Sequence, residues 1–147
     1  MDNLAYFCRG VEDPTSFSCL AHLLLDCCPR LNFLFPSSLR LPKLRSLNIM
    51  FCDTLERVFD ELIAAENALP GLQSLQLWEL PELSGVCGRV LPSLKDLKVR
   101  GCGKLMRIPI GVTEKSTFIT TVMGETHWWE DLVWDDQGVK RWMLLRN

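Results

Sequence analysis

Several features that would mark a metal, membrane or polyanion protein are missing from this sequence. No two cysteines stand at the Cys-x-x-Cys spacing of a zinc site, although the chain holds seven. Seven is an odd count, and three of them fall in a repeated buried slot described below. The set reads as reduced, mostly buried thiols of an intracellular, cytoplasmic protein. The net charge is only −2, which gives no electrostatic case for nucleic acid or an anionic membrane. Acids and bases balance at 13 each over residues 1–123, and residues 124–147 hold 5 acids and 3 bases. The opening Met1-Asp2-Asn3 lacks the basic start of a secretory signal, and no uninterrupted hydrophobic region follows. The most apolar run, Leu20 to Cys28, is broken by His22 and Asp26 and is too short to span a bilayer.

What the sequence has is a repeat. The frame Leu-x-x-Leu-x-Leu-x-x-Cys appears as Leu44, Leu47, Ile49, Cys52 and as Leu94, Leu97, Val99, Cys102. Leu20, Leu23, Leu25, Cys28 form a third copy, and Leu72, Leu75, Leu77 a fourth with Leu80 in the cysteine slot. Apolar residues continue the frame three and six positions later, for example Leu31 and Leu34, or Leu55 and Val58. Leu4 and Phe7 look like the tail of a partial earlier copy. First leucines lie 24, 28 and 22 residues apart, within the range of leucine-rich repeats.

The Leu-x-Leu pair alternates with the period of a strand, so each copy points two side chains inward. One copy cannot bury its leucines alone; stacked copies make a continuous core and a parallel sheet. Leu41-Pro42, Leu69-Pro70 and Leu91-Pro92 precede three of the copies and suit the corner where the chain enters a strand. The expected fold is α/β: a short, irregular leucine-rich-repeat solenoid, or horseshoe, with the parallel sheet on its concave face. Repeats occupy 1–123, ending in a degenerate strand within Thr113 to Met123. The remaining 124–147 form a Trp-rich C-terminal cap, with a short helix expected around Trp128, Trp129, Leu132 and Val133. The same tryptophans also suit a docking site for a partner.

These residues together resemble the C-terminal end of plant intracellular immune receptors of the coiled-coil, nucleotide-binding, leucine-rich-repeat type. The resemblance rests on Leu-Pro-Lys-Leu-Arg-Ser-Leu-Asn-Ile from Leu41, Leu-Pro-Gly-Leu-Gln-Ser-Leu-Gln-Leu from Leu69, and Leu-Pro-Ser-Leu-Lys-Asp-Leu-Lys-Val-Arg-Gly-Cys from Leu91. The ending Gly124-Glu125, Trp128-Trp129, Leu132 and Trp134-Asp135-Asp136 is similar too. The resemblance implies a defence role: recognition of a pathogen effector or a modified host protein, and restraint of the nucleotide-binding module of the same receptor. No Gly-x-x-x-x-Gly-Lys-Ser/Thr phosphate loop occurs, so neither ATP nor any other cofactor is expected here. The chain reads as a fragment or a truncated relative.

Candidate chemistry is sparse. His22, Asp26 and the neighbouring Cys27 or Cys28 could suggest a nucleophile with its base. However, His22 and Asp26 fall on outward positions and Cys28 in the buried slot. His127 has no second histidine beside it, and Glu130-Asp131 with Asp135-Asp136 lacks the alternating ligands of a calcium loop. No metal site and no enzyme activity are expected.

The outward strand positions form three columns across the copies. The first is His22, Ser46, Ser74, Asp96. The middle is Leu24, Asn48, Gln76, Lys98. The third is Asp26, Met50, Trp78, Arg100. Leu24, Met50 and Trp78 are poorly suited to a merely solvating face, since exposed apolar residues grouped together often mark binding. The expected function is therefore a protein-binding surface. The alternative is a structural remnant of a receptor without recognition of its own.

Overall fold

The computed structural model describes residues 18–35, 40–59, 69–86, 91, 93–108, 121–133 and 145–146. The partial repeat at Leu4 and Phe7, Pro92, and Trp134 through Trp142 lie outside these residues.

Five-residue strands form at each Leu-x-Leu motif: β1 (His22–Asp26), β3 (Ser46–Met50), β5 (Ser74–Trp78) and β6 (Asp96–Arg100). Three-residue strands β2 (Phe33–Phe35), β4 (Arg57–Phe59) and β7 (Thr121–Met123) and the short β8 (Leu145–Arg146) complete the set. The main sheet is parallel throughout, in the order β1-β3-β5-β6-β7-β8. Alternation does the sorting: in β3, β5 and β6 the second and fourth residues are buried and the others are not. Leu47, Leu75, Leu97 and Val122 thus stack in one buried row, and Leu25, Ile49, Leu77 and Val99 in the next. At about 1.5–3 kcal/mol per fully buried aliphatic side chain, these rows supply much of what holds the copies together.

The turns repeat as faithfully as the strands. Leu31, Leu55, Leu83 and Leu105 each donate an amide hydrogen bond to the carbonyl of the slot residue three positions earlier. Leu44, Leu72 and Leu94 do the same to Leu41, Leu69 and Leu91 at the corner before each strand. The slot cysteines are buried, and their thiols donate back to the strand they follow, Cys52 to Met50 O at 3.3 Å and Cys102 to Arg100 O at 3.4 Å.

Just before each slot the backbone turns left-handed, at Cys27 (φ 56), Phe51 (φ 54), Glu79 (φ 51) and Gly101 (φ 66). This turn frees the amide to reach across to the next copy. Cys27 N donates to Met50 O, Phe51 N to Trp78 O, and Glu79 N to Arg100 O, at 3.1, 3.0 and 2.7 Å. Three of the four positions hold residues other than glycine, whose left-handed conformation costs roughly 1–2 kcal/mol each.

On the return path β2 and β4 pair in parallel, and Arg57 bridges on to Gly85. Phe35 and Phe59 pack at 5.4 Å between ring centres, and Arg57 covers the Phe33 ring at 4.9 Å. Beyond β7, the helix α1 (Thr126–Asp131) carries Trp128 and Trp129 into the core, and Leu132 follows them. Trp128 Nε1 donates to Leu105 O at 3.0 Å, and Val133 N to Met106 O at 2.8 Å, which ties α1 to the last repeat's turn. Gly124 makes this approach possible: a Cβ there would lie 2.8 Å from the Trp128 ring. After α1 the chain returns to the sheet, where β8 pairs with β7 through Val122–Leu145 and Met123–Arg146.

Candidate functional interface

The outward side chains of the large sheet are set by strand register alone. His22 pairs with Ser46, Ser46 with Ser74, and Ser74 with Asp96. Leu24, Asn48, Gln76 and Lys98 pair in the same way, as do Asp26, Met50, Trp78 and Arg100. All twelve sequence-derived positions therefore fall into the three columns read from the repeat. Neighbours in a column sit one strand apart, about 4.8 Å.

Local contacts knit the columns. His22 Nδ1 lies 2.7 Å from Ser46 Oγ, and Gln76 Nε2 approaches Met50 Sδ at 3.9 Å. The Arg100 guanidinium sits 5.4 Å from the centre of the Trp78 ring, within cation–π range. Leu24 remains 59% exposed, an apolar side chain in the middle column. Asp96, Lys98 and Arg100, all exposed, make β6 the most charged of the four strands that carry the columns.

Strand β7 extends two columns by one residue each, because Thr121 pairs with Asp96 and Met123 with Lys98. Sequence reasoning missed both, since the leucine frame lapses there. Val122 at the inward position is the remaining trace of it. Where β7 leads into α1, an open recess of about 460 Å³ forms. Trp78 and Arg100 stand on one side, Gly124, Glu125 and Thr126 on the other, with Met123 between them.

Cys27, Cys52 and Cys102 are poor nucleophiles in their surroundings. Burial pushes Cys52 and Cys102 up to about 11. Exposed Cys27 is also raised, first by its hydrogen bond to the Asp26 carboxylate at 3.2 Å. All three are thiols rather than thiolates at neutral pH, and only the thiolate attacks. The His22–Ser46 pair has no orienting carboxylate on the imidazole among the described residues. Nor do those residues bring together three or more metal-ligating side chains. The helix-start His127 faces Glu125, with 3.6 Å between Nε2 and Oε2, and both are solvent-accessible. The arrangement is suited to contact, by apolar, aromatic and charged groups on a rigid sheet.

Residues 1–115 match the family described as plant disease resistance protein RPS2-like, leucine-rich repeats. Among curated proteins of Arabidopsis thaliana, disease resistance protein At4g27190 is 35% identical over 100 residues, covering 67% of this chain and 10% of that protein. Putative disease resistance protein At4g19050 is 42% identical over 90 residues, covering 60% of this chain and 7% of its own length. Probable disease resistance protein At4g27220 is 33% identical over 92 residues, covering 56% of this chain and 10% of its own. The chain thus spans a tenth or less of these relatives. No solved structure matches it.

Proposed function

The chain belongs to the leucine-rich-repeat family of plant disease resistance proteins, and on that premise we propose that it is a protein-recognition segment of a cytoplasmic immune receptor. Its partner is a pathogen effector or a modified host protein, met across the outward columns of the large sheet. The carrying observation is the row Met50, Trp78, Arg100, with Arg100 set over the Trp78 ring. Methionine adapts to its contact, while tryptophan and arginine dominate measured hot spots. Lying on β3, β5 and β6, these side chains start from an ordered backbone, so less freedom is lost on binding.

We read residues 124–147 as part of the same solenoid, closing its last repeat rather than forming a second module. The burial of Trp128, Trp129 and Leu132 against the core supports this. When a nucleotide-binding module is attached, the repeats also contribute to holding it inactive.

Trp78→Ala and Arg100→Ala in the intact gene product test the recognition reading. Co-precipitation with candidate effectors and guarded host proteins should weaken, and the effector-triggered cell-death response in leaf tissue should fall. Variants that fold, bind and signal like the parent would remove Trp78 and Arg100 from the recognition surface.

A further inference from the structure

The recess beside α1 has two unlike halves. Its apolar lining comes chiefly from Trp78 and Met123, since Leu77 and Val99 turn their side chains to the core. At its rim stand Lys98 and Arg100, neither of which has an ion-pair partner among the described residues. The one carboxylate on that rim, Glu125, is turned to His127. Two cations therefore stand at the mouth of an apolar hollow without an ion pair among the described residues. At about 460 Å³ the hollow falls in the range of ligand pockets, roughly 300–1,000 Å³, and has room for a large side chain.

Resting on the recognition reading above, we infer that this recess takes a large apolar side chain of a partner protein that carries an aspartate or glutamate directly beside it. The apolar group seats against Trp78 and Met123. The neighbouring carboxylate meets Lys98 and Arg100. Stacking on Trp78 holds the Arg100 guanidinium in place and leaves its N–H edge free for a forked pair with a carboxylate. Glu125 on the rim favours a singly charged carboxylate over a phosphate dianion. Solvent exposure of β6 makes the attraction salt-sensitive.

The full 147-residue chain is presented to a library of random peptides displayed with blocked C-termini. Enriched peptides are resynthesised with acetyl and amide ends and measured by fluorescence polarisation. The enriched sequences should pair Asp or Glu with an adjacent Trp, Phe, Leu or Met. Replacing the acid by its amide should weaken binding about tenfold at low salt, and so should Lys98→Glu or Arg100→Glu. A lysine in place of the acid should recover part of the binding to Arg100→Glu. Met123→Trp fills the recess while keeping both cations and should abolish binding, with thermal melting confirming that each variant is folded. Peptides indifferent to Met123→Trp and Arg100→Glu but lost on Asn48→Arg would overturn the recess while leaving the recognition face standing. Binding that needs a free C-terminus, or a phosphorylated residue, would overturn the acidic side chain as the occupant. Failure to enrich any peptide would count against both readings.

Discussion

The Trp128 indole reaches 3.0 Å from the carbonyl of Leu105, 23 residues earlier in the chain, and donates its N–H there. The Trp128 ring is itself 4% exposed. A buried carbonyl that loses its donor costs about 1–3 kcal/mol, and truncating a buried tryptophan costs about 3–5 kcal/mol. Trp128→Phe is expected to destabilise by the smaller amount and Trp128→Ala by the larger, read from urea unfolding. Deleting residues 124–147 should lower the melting temperature at least as far as Trp128→Ala. An unchanged melt after deletion would end the view that this segment closes the repeats, and would favour a docking role for its tryptophans.

The register can be tested with adjacent substitutions of opposite expected severity. Leu97 is fully buried and Lys98 exposed, one residue apart on β6. Leu97→Arg would leave a charge without a partner in the core, a penalty of several kcal/mol, and is expected to abolish the cooperative transition. Lys98→Glu should shift the midpoint by no more than about 0.5 kcal/mol. Circular dichroism melts distinguish the two, and equal stability would contradict the pairing.

The left-handed position gives a second, independent check. At Gly101 the backbone has φ 66, and an added Cβ would also press on the Glu79 carboxylate at 2.6 Å. Gly101→Ala should therefore cost about 1 kcal/mol, the left-handed penalty less the gain from a stiffer unfolded chain. Phe51 is exposed and sits at the equivalent turn in another copy. Asparagine visits this region far more readily, so Phe51→Asn should hold or raise stability in the same urea series. A loss at Phe51→Asn would mean that side-chain packing, not backbone conformation, governs that turn.

Thiol chemistry should follow the environments of the cysteines. Under native alkylation with iodoacetamide, exposed Cys19 should label first, then Cys27, whose carboxylate neighbour raises its pKa. Cys52 and Cys102 should label only on unfolding, as peptide mapping would show. Burial pushes both thiols up to about 11, above the ordinary thiol value of 9.0, so the native state holds their protons more tightly than the unfolded chain. That contribution is complete below pH 9.0 and is lost as pH rises from there to about 11. The Cys52→Ala, Cys102→Ala double variant should show a shallower alkaline decline; an identical pH profile would rule the thiols out as its source.

Strand pairing was legible from spacing alone because side chains in a strand alternate strictly. Once Leu47, Ile49 and their counterparts are assigned inward, the outward columns follow residue for residue, and the pairing agrees. The lesser ladder between β2 and β4 was not legible. Leu34 and Val58 were recognisable as buried, but nothing in their spacing distinguishes a paired strand from an unpaired apolar turn. Strand β7 fell inside the expected region Thr113 to Met123, yet only Val122 marked its inward face, so Met123 could not be placed on the interface. The pairing of β8 with β7 had no sequence signal, because two residues are too few to show a period. Of the left-handed turns, only Gly101 announces itself; Cys27, Phe51 and Glu79 are held there by amides that reach the following copy.

Those amides also say how such a gene can change safely. Three of the turns are fastened by the strand end of their successor, through backbone atoms every residue but proline possesses. One whole unit can therefore be duplicated, lost or exchanged with a neighbour, and the junction finds the same donor and acceptor it had before. A break inside a unit strands an amide with nothing to reach. Exchange at unit boundaries would thus reshuffle the outward side chains while leaving the backbone pairing between units intact.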